Sequence, residues 1–162
     1  MSEVQKQSLD ITEQEAIGRA VALLVAECPV TKDVTTMWEN VSTSAVGVFP
    51  EHGAVYDQRF ISGSFMASYP FVLRRRTRQT DDEGRINVET ELDKIARWLC
   101  GEVIEVGATS YQLQNYPPLS DDRTIKEIEK TSTVFLAGQT VDGITDYAVY
   151  LTLRYYRKGA LH

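Results

Sequence analysis

Residues 144–156 read ITDYAVYLTLRYY, and their two-residue alternation constrains the fold more than any other feature of this chain. Tyr147, Val149, Leu151, Leu153 and Tyr155 alternate with Ala148, Tyr150, Thr152, Arg154 and Tyr156. Successive side chains of a β-strand point to opposite faces, so the spacing predicts a long strand with two chemically different sides. One side is wholly apolar or aromatic and has to be covered. The other carries Tyr150, Tyr156 and Arg154, a combination that suits a hydrated contact with a partner.

Two amphipathic helices can supply the cover. Ile17, Val21, Leu24 and Cys28 fall on one stripe at helical spacing, widened by Ala20 and Leu23. Thr12 and Glu15 have the spacing of a capping box, and Pro29 stops the helix, which places it near residues 13–27. Val88, Leu92, Ile95 and Leu99 give a second stripe, with Ala96 and Trp98 beside it. Asn87 is its expected N-cap and Gly101 its stop, for a helix near residues 88–100.

The remaining segments read mostly as strands. Residues 41–48 and 54–60 are short strands around a turn containing Pro50 and Gly53. In SGSFMASYPFVLRRR, Phe65, Ala67, Tyr69, Phe71 and Leu73 share one face. Pro70 interrupts the donor row, so this strand is expected at a sheet edge or bulged there. Residues 77–84 form a polar turn. Residues 102–106 are a short strand or an extended connector, and residues 111–122 a proline-bearing loop. Residues 124–136 are a long strand, joined to the last one by a hairpin at Asp142-Gly143. The expected fold class is α+β: a mostly antiparallel sheet of about four main strands, with two helices on one face. A flexible segment 1–11, a single domain 12–157 and a short tail 158–162 complete the organisation.

Bulk properties narrow the function. One domain with one core suits 162 residues, and a net charge of −6 argues against a general nucleic-acid binder. The sequence has no run of 18 apolar residues and no signal-peptide pattern, so the expectation is a protein that matures in a cytoplasm. Cys28 and Cys100 lack metal-ligand spacing and read as small buried hydrophobes.

Catalytic signals are weak. His52 lies in a turn and His162 at the terminus, outside any triad or metal pattern. Asp81, Asp82 and Glu83, and Asp121 with Asp122, have turn composition and match no calcium loop. Neither a phosphate loop nor a nucleophile elbow occurs. Arg74, Arg75, Arg76 and Arg78 are the densest positive charge, readable as phosphate donors or as partners of acidic side chains. Trp38 and Trp98 are core or interface anchors. Tyr116-Pro117-Pro118-Leu119 is a docking segment or a loop capping one end of the sheet. No cofactor is implied.

In order and local pattern the chain resembles the tail-terminator-like and minor capsid proteins of tailed bacteriophages. The resemblance is carried by the helix ending at Cys28-Pro29, the extended strand from Gly63 to Arg76 and the helix ending at Trp98-Leu99. It continues through Pro117-Pro118-Leu119, residues 131–136 and the closing strand 147–155. It spans residues 12–157 and is closest in the final third. The Arg74–Arg78 cluster and the Asp81–Glu83 turn have no counterpart in it. It implies a virion protein of the tail or neck, assembled in the host cytoplasm as a hexameric ring. Such a ring ends the tail tube, offers a surface to the neck or head-completion protein and, in a contractile tail, holds the last sheath ring. DNA passes through the lumen without specific binding, and no membrane is involved.

A ring needs two different patches per subunit. The expected interface residues are Arg74, Arg75, Arg76, Arg78, Asp81, Asp82, Glu83, Tyr116, Pro117, Tyr150, Arg154 and Tyr156. Competing readings are a head-closure or head-to-tail adaptor, a small ligand-binding domain or enzyme with a pocket between helices and sheet, and a nucleic-acid accessory protein.

Overall fold

A computed structural model describes residues 6–31, 33–36, 45–78, 82–120, 122–140 and 143–159, with the backbone alone for Asp33 and residues 82–85. In chain order the elements are α1 (Ile11–Ala26), β1 (Asp33–Thr35), β2 (Ala45–Pro50), β3 (Val55–Arg59), β4 (Phe65–Thr77) and α2 (Asp82–Leu99). There follow β5 (Ile104–Val106), β6 (Thr109–Tyr111), β7 (Arg123–Lys130), β8 (Phe135–Gln139) and β9 (Thr145–Arg157). The class is α+β, with two helices and a mostly antiparallel sheet. The strand count exceeds the expected four: seven strands form the main sheet, and β5 and β6 form a separate hairpin.

The sheet is organised around two long strands. β4 and β9 pair antiparallel over their whole length, from Phe65 opposite Arg157 to Thr77 opposite Thr145. Each is flanked on its other side by two short strands laid end to end. β2 and β3 line the two halves of β4, and β8 and β7 line the two halves of β9. β1 adds to β2 and is the single parallel neighbour. The predicted long strand 124–136 is thus two strands. At the break, Thr131 N–H donates to the Tyr150 carbonyl at 2.9 Å and Tyr150 N–H donates to the Ser132 hydroxyl at 2.9 Å. The edge of β9 keeps its hydrogen bonds where the flanking strand changes.

Pro70 is not at an edge. It sits in the central strand, opposite Thr152. Its carbonyl accepts the Glu51 N–H at 3.0 Å, on the side where β2 ends and β3 begins. In an antiparallel strand the N–H and C=O of one residue point the same way. The missing donor therefore falls at the seam between two partners, just beyond the last pair of β2 with β4. A proline is harmless at that one place in a central strand.

The two-sided reading of β9 is realised in full. Tyr147, Val149, Leu151, Leu153 and Tyr155 are buried, with Phe65, Ala67, Tyr69, Phe71 and Leu73 of β4 on the same side. Both helices pack there. Ile17, Val21 and Leu24 of α1 and Val88, Leu92, Ile95 and Leu99 of α2 join one hydrophobic cluster with them, and Trp98 belongs to it too. Gly18 brings α1 close to the sheet: a Cβ there would lie 3.0 Å from the Tyr69 hydroxyl.

Polar residues obscured β7 in the sequence, and a bulge explains them. Ile125 pairs with Tyr155 and Glu127 with Arg154, leaving Lys126 as an extra residue. The inserted residue shifts the alternation, so Ile125 and Ile128 both reach the core. A reading of strict period two misses this.

Helix starts also differ from expectation. α1 begins at Ile11, with Asp10 at the N-cap and no side-chain cap hydrogen bond, so the Thr12–Glu15 capping box does not form. The described residues before it, from Lys6 on, are docked instead of frayed, and residues 1–5 lie outside the described set. Leu9 is buried, its N–H donates to Ala54, and Gln7 accepts the Tyr56 N–H. This pairing along β3 fixes where the helix can start. α2 begins at Asp82, so Asn87 lies inside the helix and is no cap. Gly101 does supply the stop, at φ +87°. Trp38, Asp81, Asp121, Asp142, His162 and residues 41–44 lie outside the described residues.

Leu153→Ala should remove about 2–5 kcal/mol of stability, because it opens a cavity between β9 and the helices. Thr152→Ala, one residue away on the other face, should change it by less than about 1 kcal/mol. Urea denaturation midpoints of the two variants check this two-sidedness.

Candidate functional site

With both helices on one side, the other side of the main sheet is not covered by any described element. Its centre is apolar. Val72 and Ala148 are 2% and 0% exposed although they point away from the main core. Aromatic rings shelter them. Phe135 and Tyr150 lie 5.3 Å apart at a tilt of 31°. Phe49 pairs with Val72 across β2 and β4, and its ring lies over Gly47, leaving no room there for a Cβ. A glycine and a neighbouring aromatic thus form one flat layer.

Charged pairs surround this centre. Arg76 grips Asp146 with two hydrogen bonds, of 2.9 and 3.2 Å, directly across β4 and β9. This contact raises the Arg76 pKa further. Arg154 reaches Glu127 at 3.2 Å and Glu129 at 3.3 Å. Lys126 lies over the Tyr156 ring at 5.9 Å. The outer face thus has an apolar aromatic centre and a half-exposed polar rim.

The structure divides the expected interface residues. Tyr150, Arg154 and Tyr156 share this outer face with Arg74 and Arg76, but Arg154 and Tyr156 lie opposite Ser68 and Met66, towards the other end of β4 from the arginines. Arg75 points to the helices, where it bonds Glu91 of α2. Strand alternation therefore splits the arginine cluster between two faces, and it is not one patch. Arg78 is exposed just beyond β4. Asp82 and Glu83 open α2, with side chains outside the described set. Tyr116 is turned inward: its hydroxyl donates to the Leu99 carbonyl at 2.7 Å and so satisfies the end of α2. Burial raises its pKa. Pro117 is half-buried beside it.

Sequence reasoning missed a buried charge cluster at one end of the sheet. The Glu13 carboxylate, 4% exposed, accepts from three residues. Arg123 donates through Nε at 2.9 Å and also through its Nη2, Arg157 through Nη1 at 2.8 Å, and Tyr155 through its hydroxyl at 3.1 Å. Asp122 holds Arg157 from the other side at 2.9 Å. Hydrogen bonds from Ser120 and Arg157 lower the Asp122 pKa. Contact with Glu13 raises that of Arg123, and burial raises that of Tyr155. The cluster carries two guanidiniums and two carboxylates, so it is neutral overall. Glu13 sits on the apolar stripe of α1, four residues before Ile17, and that misplaced charge was the available signal.

Concavities are modest. A groove of 260 Å³ runs between α1 and the sheet, and one of 490 Å³ lies between α1 and β1, with Arg19 as its charged lining residue among those described. Among the described residues no group of three metal-ligating side chains occurs. Cys28 is buried, Cys100 is partly buried, and both are free thiols. No described helix is long and apolar enough to cross a membrane.

No protein-family model matches this chain, and no curated protein matches it.

Glu13→Gln leaves Arg123 and Arg157 without their buried counter-charge and should cost about 3–5 kcal/mol in chemical denaturation. At high pH a second effect appears. Burial pushes the Tyr69 hydroxyl up to about 12 from its ordinary 10, so its neutral form is favoured in the folded chain. That contribution is complete below pH 10 and is lost as the pH rises towards 12. Tyr69→Phe should therefore reduce the loss of stability between those limits, read by circular dichroism along an alkaline titration.

Proposed function

We propose that this chain is a structural virion protein of a tailed phage or related particle, assembling as a hexameric ring that terminates the tail tube. The ring offers a docking surface to the neck or head-completion protein, and to the sheath where the tail contracts. DNA passes through its lumen without specific contacts, and the particle is assembled in the host cytoplasm. The observation that carries the reading is the open outer sheet face, with its aromatic centre and ion-paired rim. A sheet that is fully packed on one side and still organised on the other is suited to bind protein. The resemblance of the sequence, in order and local pattern, to tail-terminator-like proteins supports the same assignment.

Other readings draw less support. The nucleic-acid reading needs arginines available to phosphate, but Arg75 and Arg76 are engaged with Glu91 and Asp146. Of the two grooves beside α1, one of 260 Å³ lies below and one of 490 Å³ within the roughly 300–1,000 Å³ usual for ligand sites, so volume alone does not set the ligand-binding reading aside. A head-closure adaptor would use the same outer face and differs in where the ring sits.

Particles assembled without this protein distinguish these roles. Overlong tails of variable length are expected. Tails of normal length lacking heads would point to the adaptor, and normal virions would overturn the assignment. Arg154→Ala combined with Tyr156→Ala should leave the fold intact, since both side chains are on the outer face and the Arg154 ion pairs are exposed. That variant should fail to complement tail-length control in the same assay.

A further inference from the structure

The groove between α1 and the sheet contains a buried polar group with nothing to bond. Tyr69 is 2% exposed, and its ring stacks beside Phe71 in the main core. Its hydroxyl reaches the groove at Gly18, where a Cβ would stand 3.0 Å from it. Among the described residues that hydroxyl has no hydrogen-bond partner. Buried tyrosine hydroxyls ordinarily find one. Burial pushes its pKa up to about 12, so at neutral pH it is an O–H donor.

Two charges at the same groove are also uncommitted. Glu15 and Arg19 lie four residues apart on α1, and both are exposed and line the groove. That spacing makes them neighbours on one helix face, yet neither is paired with the other or with any other described residue. Gln14 lines the groove too, but its amide nitrogen already donates to the Leu9 carbonyl at 2.7 Å. Apolar walls complete the space: Ile11 at the start of α1, and Val48 and Pro50 of β2.

This combination specifies a ligand. Arg19 and the Tyr69 hydroxyl offer donors to an anion, and Glu15 offers an acceptor to a cation. A simple anion would meet Glu15, a simple cation would meet Arg19, and a hydrocarbon would leave the hydroxyl unbonded. A molecule with both charges close together and one apolar substituent satisfies all three groups and the walls. The groove's 260 Å³ equals roughly nine waters at about 30 Å³ each, room for a molecule of about ten non-hydrogen atoms.

We propose that this groove is a binding site for a free α-amino acid with an apolar side chain. The ligand carboxylate accepts from the Arg19 guanidinium and the Tyr69 hydroxyl, and its ammonium donates to Glu15. Its side chain lies against Ile11, Val48 and Pro50. Gly18 leaves the helix surface bare, so the carboxylate can approach the hydroxyl. This function is separate from the ring assignment, and neither rests on the other.

Titration of the full chain with L-leucine and with L-phenylalanine, followed by amide shifts in heteronuclear NMR, tests the site. Saturating shifts around Glu15, Gly18, Arg19 and Val48 are expected, with a Kd of about 10 mM or tighter. Leucinamide lacks the carboxylate and N-acetyl-leucine the ammonium, so each should bind about tenfold more weakly or worse. Arg19→Gln and Glu15→Gln change exposed side chains and should leave the circular dichroism spectrum unchanged, while each weakens L-leucine binding about tenfold. Tyr69→Phe removes only the hydroxyl and should weaken binding about three- to tenfold. The site is overturned by an absence of saturable shifts with either amino acid up to about 50 mM. Analogues that bind as well as L-leucine, or charge variants that bind like the parent chain, overturn it equally. Tail-length control is read on assembled particles, so none of these outcomes bears on it.

Discussion

The antiparallel pairing of β4 with β9 is the constraint on which the rest of the molecule depends. It runs over 13 residues without a bulge, so a single register sets the facing of every side chain on both strands. A slip of one residue would turn Tyr155, Leu153 and Leu151 to solvent and bury Arg154. That register creates the covered face and the open face at once. The helices, the flanking short strands and the outer aromatic layer all take their positions from it.

The flanking strands show how the molecule absorbs irregularity without disturbing that axis. Bulges lie in β3, β7 and β8, each of which pairs with one of the two long strands, and none lies between β4 and β9. Pro70 is tolerated in the axis because its donorless nitrogen meets the seam between β2 and β3. At one end the Glu13 cluster ties the first turn of α1 to the first residue of β7 and the last of β9. Segments more than a hundred residues apart are fastened there by charge-assisted hydrogen bonds, and Gly159 fastens the chain end beside them.

What faces outward differs in kind from what faces inward. The main core is aliphatic and aromatic and is fully packed against two helices. The outer face has a thin apolar centre beneath tyrosine and phenylalanine rings, and its charges are already paired within the sheet. A surface pre-paired in this way presents shape and hydrogen-bonding groups more than free charge.

Much of this is legible in the amino-acid sequence. The faces of β4 and β9, the apolar stripes of both helices and the stop at Gly101 all follow from local periodicity and turn chemistry, because one residue's neighbours in sequence set its direction. Tyr150, Arg154 and Tyr156 fall together for the same reason. The division of residues 124–136 into two strands does not follow, because the break is made where Thr131 and Ser132 bond Tyr150 of β9, a contact that exists only in the folded sheet. The start of α1 comes from Leu9 docking on β3 and Glu13 meeting two distant arginines, not from its own capping residues. The arginine cluster, contiguous in sequence, is parted by the pleat and claimed by Glu91 and Asp146 from separate elements. Period and propensity act over a few residues and so reside in the string itself. Ion pairs, seams and locked turns join residues far apart along the chain, and they exist only once the fold has brought those residues together.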